Sequence, residues 1–522
     1  MQGETEIALA HGELSARQLA AGAYGPALES IITALRLAPG SAPLWAQFSD
    51  LIRYFNFRHP ADPVRPLLAR ALEHPAVDPG NLVRPITSIA LSNPKGALEE
   101  PLLLRMLEDV VIRDPALERL ITDTRRKMLE EPLPLPTMVA IAHQCFNTEY
   151  VFDETDEERA KVDRLRDAIV AADAAPPHWY AAYAAYRPAF TLQAENIPIS
   201  SLARRQIQEP REERQLAASI AAVSGAQTAV SAAVQAQYES NPYPRWVRTQ
   251  SSSSGGTLAG IVRELFPHSD ASKVSPNPRI LVAGCGTGQN AITTAQRFAG
   301  ASVLAVDLSL ASLGYAKRKT LELGLDSIEY RQADILALGA LQERFDLVEC
   351  SGVLHHLEDP LEGWRVLASL LKPGGFMRVG LYSEAGRRSV GHARELIAAE
   401  GFKPDAQGIR ACRAAIRARA SDELFAKIVR NEDFYSMSGC RDLLFHAHER
   451  RFSLPQIGSM MSRVGVSFLG FELPDSGATF ARYRARFPAD ANLADIENWH
   501  RLEQESPDTF ARMYQFWVCK RD

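Results

Sequence analysis

The sequence predicts an α/β protein: a doubly wound, mostly parallel sheet joined to an all-α N-terminal region. Three observations predict it. A short apolar run, Ile280 to Ala283, ends in a glycine-rich turn and feeds a helix. Further strand-like runs alternate with helical stretches over the next hundred residues, the pattern of a parallel sheet wound by crossover helices. Residues 1–225, by contrast, are rich in Ala and Leu and read as almost wholly helical.

Ile280, Leu281, Val282 and Ala283 suit a strand covered on both faces. Gly284, Gly286 and Gly288 then let the backbone turn sharply and approach a ligand closely. A helix beginning near Gln289 would point its N–H groups at that ligand, so a nucleotide-like cofactor is expected here. The spacing is G-x-G-x-G. Gln289 stands where a dinucleotide turn wants its third glycine, and no Gly-Lys-Ser/Thr follows, which excludes a phosphate-cradling loop. Residues 302–308, SVLAVDL, form a second strand ending in Asp307, placed to accept ribose hydroxyls. Residues 328–335, IEYRQADI, form a third ending in Asp334, placed to accept an adenine amine. Either acid could instead be a helix cap. Residues 345–350, FDLVEC, form a fourth strand, followed by Ser351 and the pair His355 and His356. A helix, the turn Lys372 to Gly375 and a fifth strand, FMRVGLYS, complete the series. Every named polar residue falls at the carboxyl end of a strand, where ligands of such sheets bind.

The succession GCGTG, VDLS, QADI, GVLHHLEDP and LKPGG resembles the class I S-adenosylmethionine-dependent methyltransferases, closely over 235–385 and more loosely toward the C-terminus. The resemblance implies a Rossmann-like seven-stranded sheet with a terminal reversed hairpin, S-adenosylmethionine as cofactor and S-adenosylhomocysteine as product. It implies that Gly284, Cys285, Gly286, Gly288 and Gln289 lie under the methionine part of the cofactor. Asp307 with Leu308 would hold the ribose, Asp334 with Ile335 the adenine, and Ser351 would border the sulfonium. One departure stands out. The family usually carries an acid two residues before the first glycine, and this chain has Val282. Gln289 or a residue of the upstream segment would then have to anchor the methionine amine.

The 522 residues suggest two or three domains, and a hydrophobic content of 46% suits a sizeable core. A net charge of −5 gives no global footprint for nucleic acid. No Asn/Asp-Pro-Pro-Tyr/Phe motif follows the fourth strand. Neither a secretion signal nor a membrane-length apolar run is evident. The six cysteines are scattered without close pairs, which argues against a disulfide framework or a zinc site and for a reducing cytoplasm. Cys285 and Cys350 read as small buried spacers.

The expected organisation is an all-α domain over 1–225, a helix and flap over 226–256, a cofactor-binding core over 257–385, a helical insertion over 386–463, and final strands with a small insertion over 464–522. Gly22, Ala27, Ile31, Ala34 and Pro39 match the second half of a tetratricopeptide repeat, and Trp45 sits where the next repeat wants its tryptophan. Such stacks commonly form concave binding surfaces. Residues 211–239 read as one long helix leading into Tyr238 and then NPYPRW. That segment resembles one in a group of bacterial methyltransferases with tetratricopeptide N-termini. Tyr238, Tyr243, Arg245 and Trp246 are therefore candidates for a flap over the substrate, and SSSSGG after them for a loosely structured loop. In the insertion, Tyr435, Arg441 and His446 are substrate candidates. His446, His448 and Glu449 are not expected to bind a metal, on the argument that helical residues two apart do not share a face. The final strands are placed at Val466 to Leu473 and Met513 to Lys520.

Methyl transfer from a sulfonium needs alignment and desolvation, and a base only where the acceptor must lose a proton. His355 or His356 is the candidate base. The leading expectation is methylation of a protein or peptide recruited partly by the helical domain. The alternatives are a small-metabolite methyltransferase, with that domain as lid or homodimer interface, and a non-catalytic cofactor-binding scaffold. A deep closed pocket under the flap and insertion would favour the small acceptor, and an open groove the protein.

Overall fold

A computed structural model describes residues 2–57, 63–193, 197–225, 228–251, 255–473, 476–510 and 513–521; residues 252–254 of the SSSSGG stretch lie outside them. The chain divides into two compact units. One comprises Met1–Pro210, Arg245–Ser252 and Glu432–Met437, and the other Arg211–Pro244, Ser253–Asn431 and Ser438–Asp522.

The first unit is helical. Its first three helices are Gln2–Ala20, Tyr24–Leu37 and Ala42–Ile52. Gly22 makes the turn between the first two at φ +74°, and Ala27, Ile31 and Ala34 form the buried stripe of the second. Small residues let these helices approach closely: Ser15 Oγ donates to the Ala27 carbonyl at 2.8 Å, and a Cβ on Gly12 would lie 2.7 Å from Leu44. Trp45 is fully buried on the third helix, donating its indole N–H to Pro39 O at 2.9 Å. Arg245 and Trp246 belong to this unit, with the Arg245 guanidinium 5.1 Å from the Phe146 ring centre and Trp246 buried. Tyr435 is buried in the same unit.

The second unit is built, among the described residues, on a sheet of eight strands: β1 (Ala221–Ala222), β2 (Arg279–Ala283), β3 (Ser302–Asp307), β4 (Ile328–Gln332), β5 (Phe345–Ser351), β6 (Leu371–Leu381), β7 (Val466–Phe471) and β8 (Tyr514–Lys520). Their spatial order is β1-β4-β3-β2-β5-β6-β8-β7. All neighbours pair in parallel except β8, which is antiparallel to both β6 and β7. The reversed strand is thus β8, inserted between β6 and β7. The eighth strand corrects the expected count of seven and also the long helix expected over 211–239. That stretch is two helices, Glu209–Ala218 and Ala229–Ser240, separated by β1, which pairs with Arg331 and Gln332 at the sheet edge. Alanine favours helix, but two residues beside an open sheet edge gain ladder hydrogen bonds instead, and the edge is covered.

Strand alternation divides the core. Leu281, Ala283, Leu304, Val306, Val348 and Met377 face one layer with Trp364 and Leu367 of the helix Pro360–Ser369. Ile280, Val282, Val303, Ala305, Leu347 and Phe376 face the other with Ala291, Leu313 and Ala316. The strand ends are thereby held rigidly between two helical layers. The insertion contributes the helices Arg388–Glu400, Ala406–Ala418, Glu423–Val429, Met437–Phe445 and Leu454–Val464.

Candidate active site

At the carboxyl ends of β2, β3 and β5 lies a cavity of about 450 Å³, within the usual range of small-ligand sites. The glycine turn forms its floor. Gly284 takes φ +75° and Gly286 φ +52°, and a Cβ on Gly284 would lie 2.3 Å from Val353, so the turn packs without side chains. Asp307 holds this turn: its Oδ2 accepts the Gly286 N–H at 2.8 Å and its Oδ1 the Ser309 N–H at 2.9 Å. Burial pushes its carboxyl above the usual range against these two bonds, with Glu239 adding to the upward push. Asp334 caps the short helix Ile335–Ala340 through Oδ1, which accepts the Leu336 N–H at 2.9 Å. Its Oδ2 is buried without a partner. Asp334 is therefore a helix cap, whereas Asp307 ties the glycine turn to the end of β3 and leaves the capping of the next helix to Ser309; both acids line the cavity, where Asp334 keeps one acceptor oxygen to offer.

Gly284, Cys285, Gly286, Gln289, Asp307, Leu308, Asp334, Ile335 and Ser351 all line the cavity. Gly288 does not; a Cβ there would lie 2.5 Å from Ala316, so it is a packing glycine between two helices. Burial pushes the Cys285 thiol well up, as befits a spacer.

The upstream segment closes over the turn. Tyr238, Tyr243 and Pro244 line the cavity. Thr287 donates its hydroxyl to Pro244 O at 2.6 Å and its N–H to Tyr243 O at 3.3 Å. Arg245 and Trp246 fall in the other unit, as does Tyr435, and none of the three is a lining residue. Arg441 is half-buried on its helix and does not line the cavity either.

His356 lines the cavity and His355 does not. His355 is fully buried, stacked on Tyr382 at 3.8 Å between ring centres, with both ring nitrogens unpartnered. It is corrected from candidate base to packing residue. His356 Nδ1 lies 2.7 Å from His448 O, which fixes its proton on Nδ1 and leaves Nε2 as an acceptor. Burial pushes its pKa well down, and His355 and His446 press the same way, so the ring is neutral.

Sequence reasoning missed Asp442. It lines the cavity, and its Oδ1 accepts the Tyr238 hydroxyl at 2.6 Å; that hydroxyl also lies 3.1 Å from His446 Nε2. Ligand-capable atoms of His356, Asp442 and His446 lie within 4.8 Å of one another. Two observations disfavour a metal among them. The His356 and His446 rings stack face to face, 3.6 Å apart at 17°, so their lone pairs run side by side instead of converging. His446 Nδ1 also accepts the His448 N–H at 3.1 Å, which places the ring proton on Nε2. His446, His448 and Glu449 follow the end of the helix Met437–Phe445, so the helical-face argument applied to them does not hold.

Burial raises the pKa of Asp442 to about 6 from 3.8; Tyr238, Arg387 and Arg394 pull it down and Glu449 pushes it up, with His446 facing the same cluster. Below pH 3.8 the carboxyl is protonated in both folded and unfolded chains. As pH rises toward 6 the unfolded chain releases its proton first, and the fold loses about 3 kcal/mol. Asp442→Asn is therefore expected to gain stability over the native chain on going from pH 4 to pH 7. Urea midpoints compared at the two pH values check this; an equal offset at both would show that Asp442 titrates normally.

With this geometry in hand, residues 280–375 match the methyltransferase domain family. This segment is a methyltransferase domain. Its methyl donor is S-adenosylmethionine, with S-adenosylhomocysteine as product. The orphaned Asp334 oxygen and the side-chain-free glycine floor fit that group. Among relatives, the chain is similar to an uncharacterized protein of Synechococcus sp., 32% identical over 207 residues, 37% of this chain and 48% of that protein. It is also similar to the ubiquinone biosynthesis O-methyltransferase of Stutzerimonas stutzeri, 37% identical over 123 residues, 23% of this chain and 50% of the relative. The chain thus spans about half the length of the curated relatives it matches. Among solved structures, PKMT2 from Rickettsia typhi in complex with AdoHcy aligns with TM-score 0.39 and 18% identity, covering 54% of this chain and 55% of that one. Among the described residues, no helix is long and apolar enough to cross a membrane.

Proposed function

We propose that the whole chain is an S-adenosylmethionine-dependent methyltransferase acting on a compact small-molecule acceptor whose nucleophile carries a proton. The observation that carries this reading is a shared lining: Tyr238, Tyr243, Pro244 and Asp442 line the same cavity as the glycine turn. A concave site of that size, with these aromatic and acidic side chains beside the turn, suits a small acceptor better than a protein surface. The names of the ubiquinone biosynthesis relatives point the same way.

The cofactor would be held by the glycine turn, Asp307 and Asp334, and when bound it supplies an electrophilic methyl group. The chain's own residues would do the rest. Tyr243 and Pro244 exclude water from the floor of the site. Tyr238 orients the acceptor through a hydroxyl fixed by Asp442. His356 Nε2 takes the proton that the acceptor loses, and the His448 carbonyl that holds its Nδ1 proton stabilises the resulting cation against the downward push of burial.

Methyl-labelled cofactor incubated with the full chain and, separately, the small-molecule and the protein fractions of a lysate tests the reading. Label is expected in the small-molecule fraction. Label confined to a discrete protein band would overturn it in favour of a protein acceptor recruited by the helical unit. With the labelled acceptor in hand, His356→Ala is expected to slow turnover by about a hundredfold or more, with unchanged affinity for S-adenosylhomocysteine.

A further inference from the structure

The lining of the cavity includes four polar residues, Gln289, Asn290, Arg378 and Gln515. Behind it runs a row of residues in register across the sheet: Val282 beside Glu349, Glu349 beside Arg378, and Arg378 beside Trp517. Side chains paired this way share one face. The row below it is wholly apolar, with Ile280 beside Leu347 and Leu347 beside Phe376. Two charges buried in such a layer are costly unless something needs them.

Glu349 is 1% exposed. Its Oε2 accepts the Thr294 hydroxyl at 2.5 Å and the Asn290 amide at 3.2 Å. Arg378 donates Nε to Glu472 at 2.8 Å and Nη2 to Gln515 Oε1 at 2.9 Å. Glu472 also accepts the Trp517 indole N–H at 2.8 Å and pairs with Arg297 at 2.9 Å. The group holds two acids and two guanidinia and is balanced before any ligand arrives. The ligand that adds both signs without upsetting that balance is a zwitterion, and an α-amino acid terminus is one.

We propose that Arg378 and Asn290 hold the amino-acid end of the cofactor, and that Glu349 is the positioning residue behind them. Arg378 takes the carboxylate. Asn290 takes the ammonium, oriented by Glu349, whose charge stands one strand away from Val282 and replaces that of the acid missing there. Gln289 and the upstream segment are then not the anchor. This rests on the cofactor alone and stands whichever acceptor is found.

Calorimetry on the full chain with three probes tests it. S-adenosylhomocysteine carries both charges of the amino-acid end, decarboxylated S-adenosylmethionine keeps only the ammonium, and methylthioadenosine has neither. Glu349→Gln is expected to weaken the first two by about tenfold, the loss of one charged contact, and to leave methylthioadenosine within about twofold. Arg378→Met is expected to weaken only S-adenosylhomocysteine, again by about tenfold. Loss of all three probes together in these variants would mark a purely structural cluster and overturn the proposal, as would no loss at all. Should Glu349→Gln fail to fold, Asn290→Ala on the cavity wall carries the same expectation.

Discussion

Asp307→Ala is expected to lower the affinity for S-adenosylhomocysteine by at least about a hundredfold. The carboxylate ends β3 and holds the Gly286 N–H at 2.8 Å, while its second oxygen holds Ser309 at 2.9 Å. Its removal leaves two backbone donors unpaired beside the cavity, each worth about 1–3 kcal/mol. The floor of the site loses its anchor together with the residue placed for the ribose. Asp307→Asn keeps the shape and one acceptor and should fall between. Titration calorimetry with S-adenosylhomocysteine decides it: affinity within about threefold of the native chain in Asp307→Ala would mean that the cofactor does not sit over this turn.

Gly286→Val should be nearly as damaging, by a different route. The residue takes φ +52°, which a β-branched side chain avoids, and a Cβ would lie 2.5 Å from Tyr243 O. The neighbour cannot yield cheaply because it is backbone. The segment that Thr287 holds through Tyr243 O and Pro244 O must lift, opening the roof and exposing the chain around residues 241–244. An affinity loss of about thirtyfold, or roughly 2 kcal/mol, is expected, with new protease cleavage in that stretch. Thr287→Ala, which removes a single hydrogen bond, should cost far less. Native affinity and an unchanged digestion pattern in Gly286→Val would show that the segment is not seated on the turn.

What could be read in advance follows from how local each signal is. β2, β3 and β5 were legible because a buried parallel strand is a short apolar run, and β4, IEYRQ, because it fell in turn between helical stretches and led to an acid. Asp307 and Asp334 were legible for the same reason. β1 was not, since Ala221 and Ala222 become a strand only through the partner that tertiary folding brings beside them. Asp442 meets Tyr238 across more than two hundred residues of sequence, and no spacing rule spans that distance. Which way Glu349 faces is set by register with β2 and β6, and no local pattern carries that. The difference between His355 and His356 is likewise one of orientation on a turn.

The chain leaves the sheet-bearing unit and returns to it more than once: 245–252 and 432–437 belong with the helices, and 211–244 with the sheet. Glu239 in that last stretch accepts the N–H groups of Leu310 and Ala311, at 2.7 and 3.0 Å, closing the amino end of a helix that covers β3. A chain shortened by its first 225 residues would therefore begin inside the catalytic unit, having lost β1, and would strip the cover from Trp246, Val247, Phe434 and Tyr435, all buried in the intact chain. Inactivity of such a fragment would report a damaged enzyme with sticky patches and would carry no information about recruitment. Surface substitutions within 1–210 separate docking from folding, and a shortened gene does not.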